Sequence, residues 1–225
     1  MPEITKNVPW KISDIILTYT LTFATAILTV GILMQIRSDV SRLFYSSVLQ
    51  SSVTITSLAC VYYIITQKYR LPFFISLGIE LKNLRKNFLQ GVISAVLIVF
   101  ATTAVSLIFS LISTSVQNPY SSYTPEKMKI ISVFAILSAP IYEEILFRGF
   151  IQPVFTKYAG IFWGIIITSL FFAISHTQYL NYDSAFAGVF AIGIILGYTR
   201  QFTGSVMPGI FAHLINNLLA VLSLS

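Results

Sequence analysis

Apolar stretches long enough to cross a bilayer recur from near the N-terminus to the end of this chain, and no other feature restricts its fold so much. A segment inside a membrane must satisfy its own backbone hydrogen bonds, which leaves α-helices or a closed β-barrel. As a helix, about 20 apolar residues cross a core of about 30 Å. The predicted spans are Ile12 to Ile36, Val48 to Thr66, Gln90 to Ile112, Lys129 to Phe150, Ile161 to Ser175, Ser184 to Tyr198 and Val206 to Leu222. The fifth and sixth are short, so the count is seven or eight according to whether they extend, tilt or lie partly at the interface. No ten-residue runs alternate as barrel strands do. The fold class is therefore all-α, a polytopic transmembrane helical bundle.

Composition agrees. Of 225 residues, 56% are hydrophobic and 10% charged, more apolar surface than a water-soluble core can hide. One membrane domain is expected, read as N-terminal helices over residues 1–128 and a second set over 129–225. The net charge of +6 sits at the edges of apolar segments and not in a basic patch interleaved with aromatics, so nucleic acid is not a partner. The lipid bilayer is. Lys6 and Lys11 imitate the start of a signal peptide, yet the stretch that follows is too long and lacks an Ala-x-Ala site, so a retained anchor is expected. Cys60 is the only cysteine, which excludes an intrachain disulfide, a cysteine metal cluster and a Cys/His nucleophile. The final Leu-Ser-Leu-Ser is not a CaaX box, so the chain is not expected to be prenylated itself.

With seven spans and the N-terminus inside, the inner segments hold Lys6, Lys11, Lys68, Arg70, Lys82, Arg85, Lys86, Lys157 and Arg200. The outer ones hold Arg37, Arg42, Lys127 and Lys129. That excess predicts a cytoplasmic N-terminus. The segment Gln67 to Asn87 reads either as an amphipathic stretch on an anionic surface or as a plain basic loop. Gly160 with Gly164, and Gly193 with Gly197, have the spacing that lets membrane helices touch backbone to backbone.

Against this apolar background the stretch Ser138-Ala-Pro-Ile-Tyr-Glu-Glu-Ile-Leu-Phe-Arg-Gly-Phe150 stands out. A charge near the bilayer centre costs roughly 2.5 to 3.5 kcal/mol even on lenient scales, so two acids and an arginine point to a site. Neighbours on a helix diverge by about 100°, which gives Glu143 and Glu144 different surroundings. Glu144 precedes Arg148 by four residues, the favourable order for an ion pair, leaving Glu143 free to work. Pro140 predicts a kink just before them.

The two histidines fall in Phe172-Ala-Ile-Ser-His176 and His213-Leu-Ile-Asn-Asn217. The i, i+4 spacing puts His213 and Asn217 on one face, where both can donate to a single oxyanion. Phe172 walls the site beside His176. A lone histidine in a membrane helix is as often a satisfied interhelical hydrogen bond as a functional group. Two acids, an arginine, both histidines and an asparagine in apolar segments shift the balance to function.

Taken together, Glu143-Glu144-x-x-x-Arg148, Phe172-x-x-x-His176 and His213-x-x-x-Asn217 resemble the three motifs of the CAAX proteases and bacteriocin-processing family, also called the Abi family, with its type II CAAX prenyl endopeptidases. The resemblance covers about Phe134 to Leu222. It implies a helical bundle around a polar cavity open to the cytoplasmic side and an intramembrane endopeptidase activity. It further implies that Glu143 and His176 activate a water, that His213 and Asn217 form the oxyanion hole, and that Glu144 and Arg148 orient the site. The substrate class is a membrane-anchored protein or peptide, and the compact chain looks like one of a bacterial plasma membrane.

Two alternatives remain. Zinc takes three protein ligands and a water in catalytic sites, and Glu143, His176 and His213 could supply them, although no cofactor is the favoured case. A non-catalytic scaffold or bacteriocin self-immunity factor would use the same cluster to bind a partner or fix the fold.

Overall fold

A computed structural model of the chain describes residues 8–35, 42–112, 136 and 138–223. The described residues form helices and no strand: α1 Ile12–Leu33, α2 Arg42–Tyr63 with a π-helical turn Ile64–Lys68, α3 Phe73–Ser76, α4 Leu84–Ile112, α5 Ala139–Glu143 with a π-helical run Glu144–Ile151, α6 Gln152–Ser175, α7 Asp183–Thr203 and α8 Met207–Leu222. Among them Ile12–Leu33, Phe44–Lys68, Leu84–Ile112, Ala139–Ser175 and Asp183–Thr203 are long and apolar enough to cross a membrane; Met207–Leu222 is apolar but shorter. The polytopic helical class follows. Lys6, Arg37, Lys127, Lys129, the start of the fourth predicted span and the boundary at 128/129 lie outside the described residues.

The 37-residue run Ala139–Ser175 is not one straight helix. Gly160 has φ 80° and ψ 170°, a conformation glycine alone adopts easily. A Cβ on Gly164 would lie 2.6 Å from the Thr156 Cα, although eight residues of straight helix span about 12 Å. The chain folds back at Gly160, between the predicted fourth and fifth spans. Gly160 therefore breaks the helix and makes no helix contact, since nothing lies within 4 Å of a Cβ built on it.

The residues cluster into two compact units. In the first, Pro9–Ser76, α1 packs along α2, and Thr29 donates to Ser52 Oγ at 3.1 Å. Asp14, in the first turn of α1, accepts from the Lys11 backbone at 2.8 Å, from the Lys68 ammonium at 2.5 Å and from the Tyr69 hydroxyl at 2.8 Å. Burial, then the bond to Asp14, push the Tyr69 phenol above its ordinary range. Lys68, counted above as an inner loop charge, is thus an ion-pair partner. Between Tyr69 and Asn83 only the four residues of α3 are helical, so this segment is a loop and not an amphipathic surface helix.

The second unit holds Val8 and the described residues from Leu77 onward. Here α4, the third predicted span, packs against α7 and α8. Ala95 and Ile98 of α4 form a buried cluster with Leu196 and Ala212, and Ser94 shares a 2.8 Å hydrogen bond with Thr199. A Cβ on Gly91 would fall 2.6 Å from the Phe211 Cβ, so glycine sets how closely α4 meets α8. The Gly193 and Gly197 pair works as its spacing predicts: Cβ atoms there would fall 2.9 Å from Ser169 and 2.8 Å from Ile165, on α6. Arg200, near the end of α7 and also counted as an inner loop charge, is only 2% exposed, and its partners are the backbone carbonyls of Leu77, Arg148 and Gly204.

Candidate active site

The acids lie where α-helix gives way to π-helix. Ser138 precedes α5, and Pro140 stands in its first turn, where a missing N–H leaves no bond unmade. Pro140 thus stands at the opening of a helix, and the predicted kink falls against residues outside those described. Glu143 ends the α-helical turn and Glu144 begins the π-helical run, which closes with the Gln152 N–H on the Phe147 carbonyl. Pro153 then offers no N–H, so the ladder cannot continue in either register. Such π turns are frequent at functional sites.

Glu144 and Arg148 are fully buried, with Arg148 Nη1 3.3 Å from Glu144 Oε1. Arg148 Nη2 donates to the Gly193 carbonyl at 3.2 Å, and the guanidinium lies over Phe172, 4.4 Å from the ring centroid. Phe172 is more than a wall beside His176. Its ring also meets His176 at 4.5 Å, His213 at 5.8 Å and Phe147 at 5.2 Å between centroids.

His176 stands at the C-terminus of α6, with φ −88° and ψ 61°. Its Nδ1 is 2.8 Å from the Phe172 carbonyl. A carbonyl only accepts, so Nδ1 carries a proton, and in that tautomer Nε2 presents its lone pair. That Nε2 lies 3.7 Å from Glu143 Oε2. From α8, His213 brings Nε2 to 3.8 Å from the same oxygen and Nδ1 to 3.4 Å from Glu144 Oε1. Glu143, Glu144, Arg148, Phe172, His176 and His213 therefore meet in one cluster. Asn217 follows one turn beyond His213, half-buried, with its Oδ1 accepting from Asn216 Nδ2 at 3.2 Å.

Glu143 and His176 keep exposed edges, 13% and 18% of their side chains, while His213 is buried. Glu143 Oε2, both Glu144 oxygens, Arg148 Nε and Nη1 and His213 Nδ1 are buried without a hydrogen bond of good geometry inside the protein. So many under-satisfied polar atoms in one place are unusual in a folded interior and single this cluster out as a candidate site. The two acids do occupy different surroundings, yet both touch His213.

Three zinc ligands at about 2.1 Å in a tetrahedron stand about 3.4 Å apart. Glu143 Oε2 is 3.7 and 3.8 Å from the two imidazole nitrogens. Among the described residues no three His, Cys, Asp or Glu side chains are grouped as a metal site.

Two participants escape the motifs. Gly209 lies in the first turn of α8, and a Cβ there would fall 2.5 Å from Glu144 Oε2. Glycine thus lets the carboxylate approach the positive end of that helix. Met-Pro-Gly at a helix start carries no sign of this. Gly193 supplies the carbonyl that holds Arg148, a role hidden behind its packing signal.

Residues 125–219 match the Rce1-like family, type II CAAX prenyl endopeptidase Rce1-like. This stretch includes all three motifs and bears out the resemblance they carry over the C-terminal part of the chain. An Escherichia coli protein described as an uncharacterized 24.3 kDa protein is 34% identical over 89 residues, which cover 39% of this chain and 40% of that protein. The alignment thus spans less than half of that relative. No solved structure matches the chain.

Proposed function

We propose that this chain, with its Rce1-like segment 125–219, is an intramembrane endopeptidase that hydrolyses a peptide bond in a membrane-anchored protein or peptide. The observation that carries the proposal is the placement of Glu143 Oε2 within 4 Å of Nε2 of both histidines. A separation of 3.7 Å between Glu143 Oε2 and His176 Nε2 accommodates one water oxygen within hydrogen-bond distance, about 2.8 Å, of each. Both are acceptors, so the water gives one proton toward each and turns a lone pair outward.

Glu143 takes a proton as the water oxygen attacks the scissile carbonyl carbon. The tetrahedral oxyanion accepts from the Asn217 amide and from Nε2–H of His213, which acts as an imidazolium with its Nδ1–H toward Glu144 Oε1. The C–N bond then breaks, and the proton held by Glu143 passes to the leaving amine. Glu144 and Arg148 orient His213 and take no part in the proton transfer. We place the N-terminus on the cytoplasmic side, on the excess of inner basic residues that remains when Lys68 and Arg200 are set aside, and the compact chain in a bacterial membrane.

The test is mass spectrometry of cleavage sites in membranes carrying the intact chain or Glu143→Gln at equal abundance. New peptide termini present only with Glu143 support the activity. Identical termini in both samples, with any cellular phenotype retained, replace it with the scaffold or immunity reading.

A further inference from the structure

The sequence leaves the Arg148 carbonyl without a backbone donor. In a π-helical turn the N–H of residue i+5 bonds the carbonyl of residue i, as Gln152 does for Phe147. The residue in that register for Arg148 is Pro153, which has no N–H. Gln152, one position earlier, is committed to Phe147. A buried carbonyl in this position needs a donor from elsewhere.

Arg200 supplies it. Nε donates to the Arg148 carbonyl at 3.4 Å, Nη2 to the Leu77 carbonyl at 3.3 Å and Nη1 to the Gly204 carbonyl. The segment closing over the guanidinium is shaped to it. Gly78 has φ +72°, and a Cβ there would lie 2.5 Å from Arg200 Nη2, while the Val206 N–H returns to the Gly78 carbonyl at 2.9 Å. Such burial of an arginine among carbonyls is expensive and calls for a local reason. The proline-made gap in the π-helix provides one.

We propose that Arg200 is a positioning residue of the active site: it replaces the N–H that Pro153 lacks at the Arg148 carbonyl, and so fixes the π-helical turn that sets Arg148 against Glu144 and Glu144 against His213. The effect on turnover rests on the endopeptidase proposal; the effect on the turn does not.

The test uses the full chain purified in detergent as four proteins: wild type, Arg200→Lys, Pro153→Ala and the double variant. Lysine keeps a cation for the Leu77 or Gly204 carbonyl but has a methylene in place of Nε. Arg200→Lys should lower the thermal midpoint and reduce kcat about tenfold, with KM changed less than twofold. Pro153→Ala restores an N–H in register with the Arg148 carbonyl, so in the Arg200→Lys background it should recover most of both losses. A double variant whose losses simply add overturns the proposal, as does Arg200→Lys with wild-type midpoint and kcat. If Arg200→Lys gives no folded protein, recovery of folded yield by Pro153→Ala supports the proposal and its failure overturns it. The midpoints need no turnover, so a wild-type chain that cleaves nothing ends the endopeptidase proposal while coupling between positions 153 and 200 still decides this one.

Discussion

His213 turns Nδ1 to within 3.4 Å of Glu144 Oε1 while its Nε2 lies 3.8 Å from Glu143. A single imidazole therefore spans two acids that are adjacent in sequence but differ in environment, Glu144 fully buried beside Arg148 and Glu143 with an exposed edge. In the proposed mechanism one carboxylate holds and the other does the chemistry, and the two should separate on mutation.

Glu143→Gln keeps the shape and removes the proposed base. Because this residue makes no buried ion pair with Arg148, the folded yield and thermal midpoint should stay near wild type while kcat falls by about 10² to 10⁴. Glu144→Gln should lower both, since it strips the countercharge from a buried guanidinium. Equal effects of the two substitutions on the midpoint would remove the division of roles.

Arg148→Ala leaves Glu144 buried without its partner and empties the space over Phe172. Breaking such a pair costs about 3 to 5 kcal/mol, enough to reduce folded protein in the membrane severely. Folded yield by fluorescence-detected chromatography reads this directly. Abundant, thermally stable Arg148→Ala protein would falsify the inward, desolvated pair described here.

Gly209→Ala adds one methyl in the first turn of α8, where a Cβ meets Glu144 Oε2 at 2.5 Å. The carboxylate must move, and with it the partner of His213 Nδ1. Activity should drop about tenfold or more, whereas the exposed-helix substitution Gly31→Ala, with nothing within 4 Å of its Cβ, should leave activity unchanged. A fully active Gly209→Ala chain would show that Glu144 tolerates displacement.

A chelator distinguishes the glutamate mechanism from a zinc one. With ligand separations of 3.7 and 3.8 Å, wider than a zinc tetrahedron offers, cleavage should survive prolonged treatment with EDTA or 1,10-phenanthroline. Loss of cleavage that returns on adding zinc would overturn the metal-free mechanism.

Much of this protein is legible along the chain because the deciding physics is local. Length and apolarity alone mark segments that water cannot hydrate, and the helices found at Ile12–Leu33, Leu84–Ile112 and Met207–Leu222 follow them closely. The Glu144 and Arg148 pairing and the shared face of His213 and Asn217 need only the helical repeat. Charged and imidazole groups inside apolar runs announce a site for the same reason: nothing else repays their desolvation.

Tertiary structure decided what depends on how helices approach one another. Asp14 meets Lys68 across 54 residues, and the sequence shows only two ordinary charges near span ends. Arg200 reads as a loop cation until the missing Pro153 N–H and the Leu77 turn close around it. Gly160 reads as a packing residue until its positive φ folds the chain back, and Gly209 has no signal until Glu144 lies against it. Spacing along a helix determines which side chains share a face. Which backbone carbonyl or carboxylate they meet is settled only when small residues let particular helices touch, because those contacts join positions that no local periodicity connects.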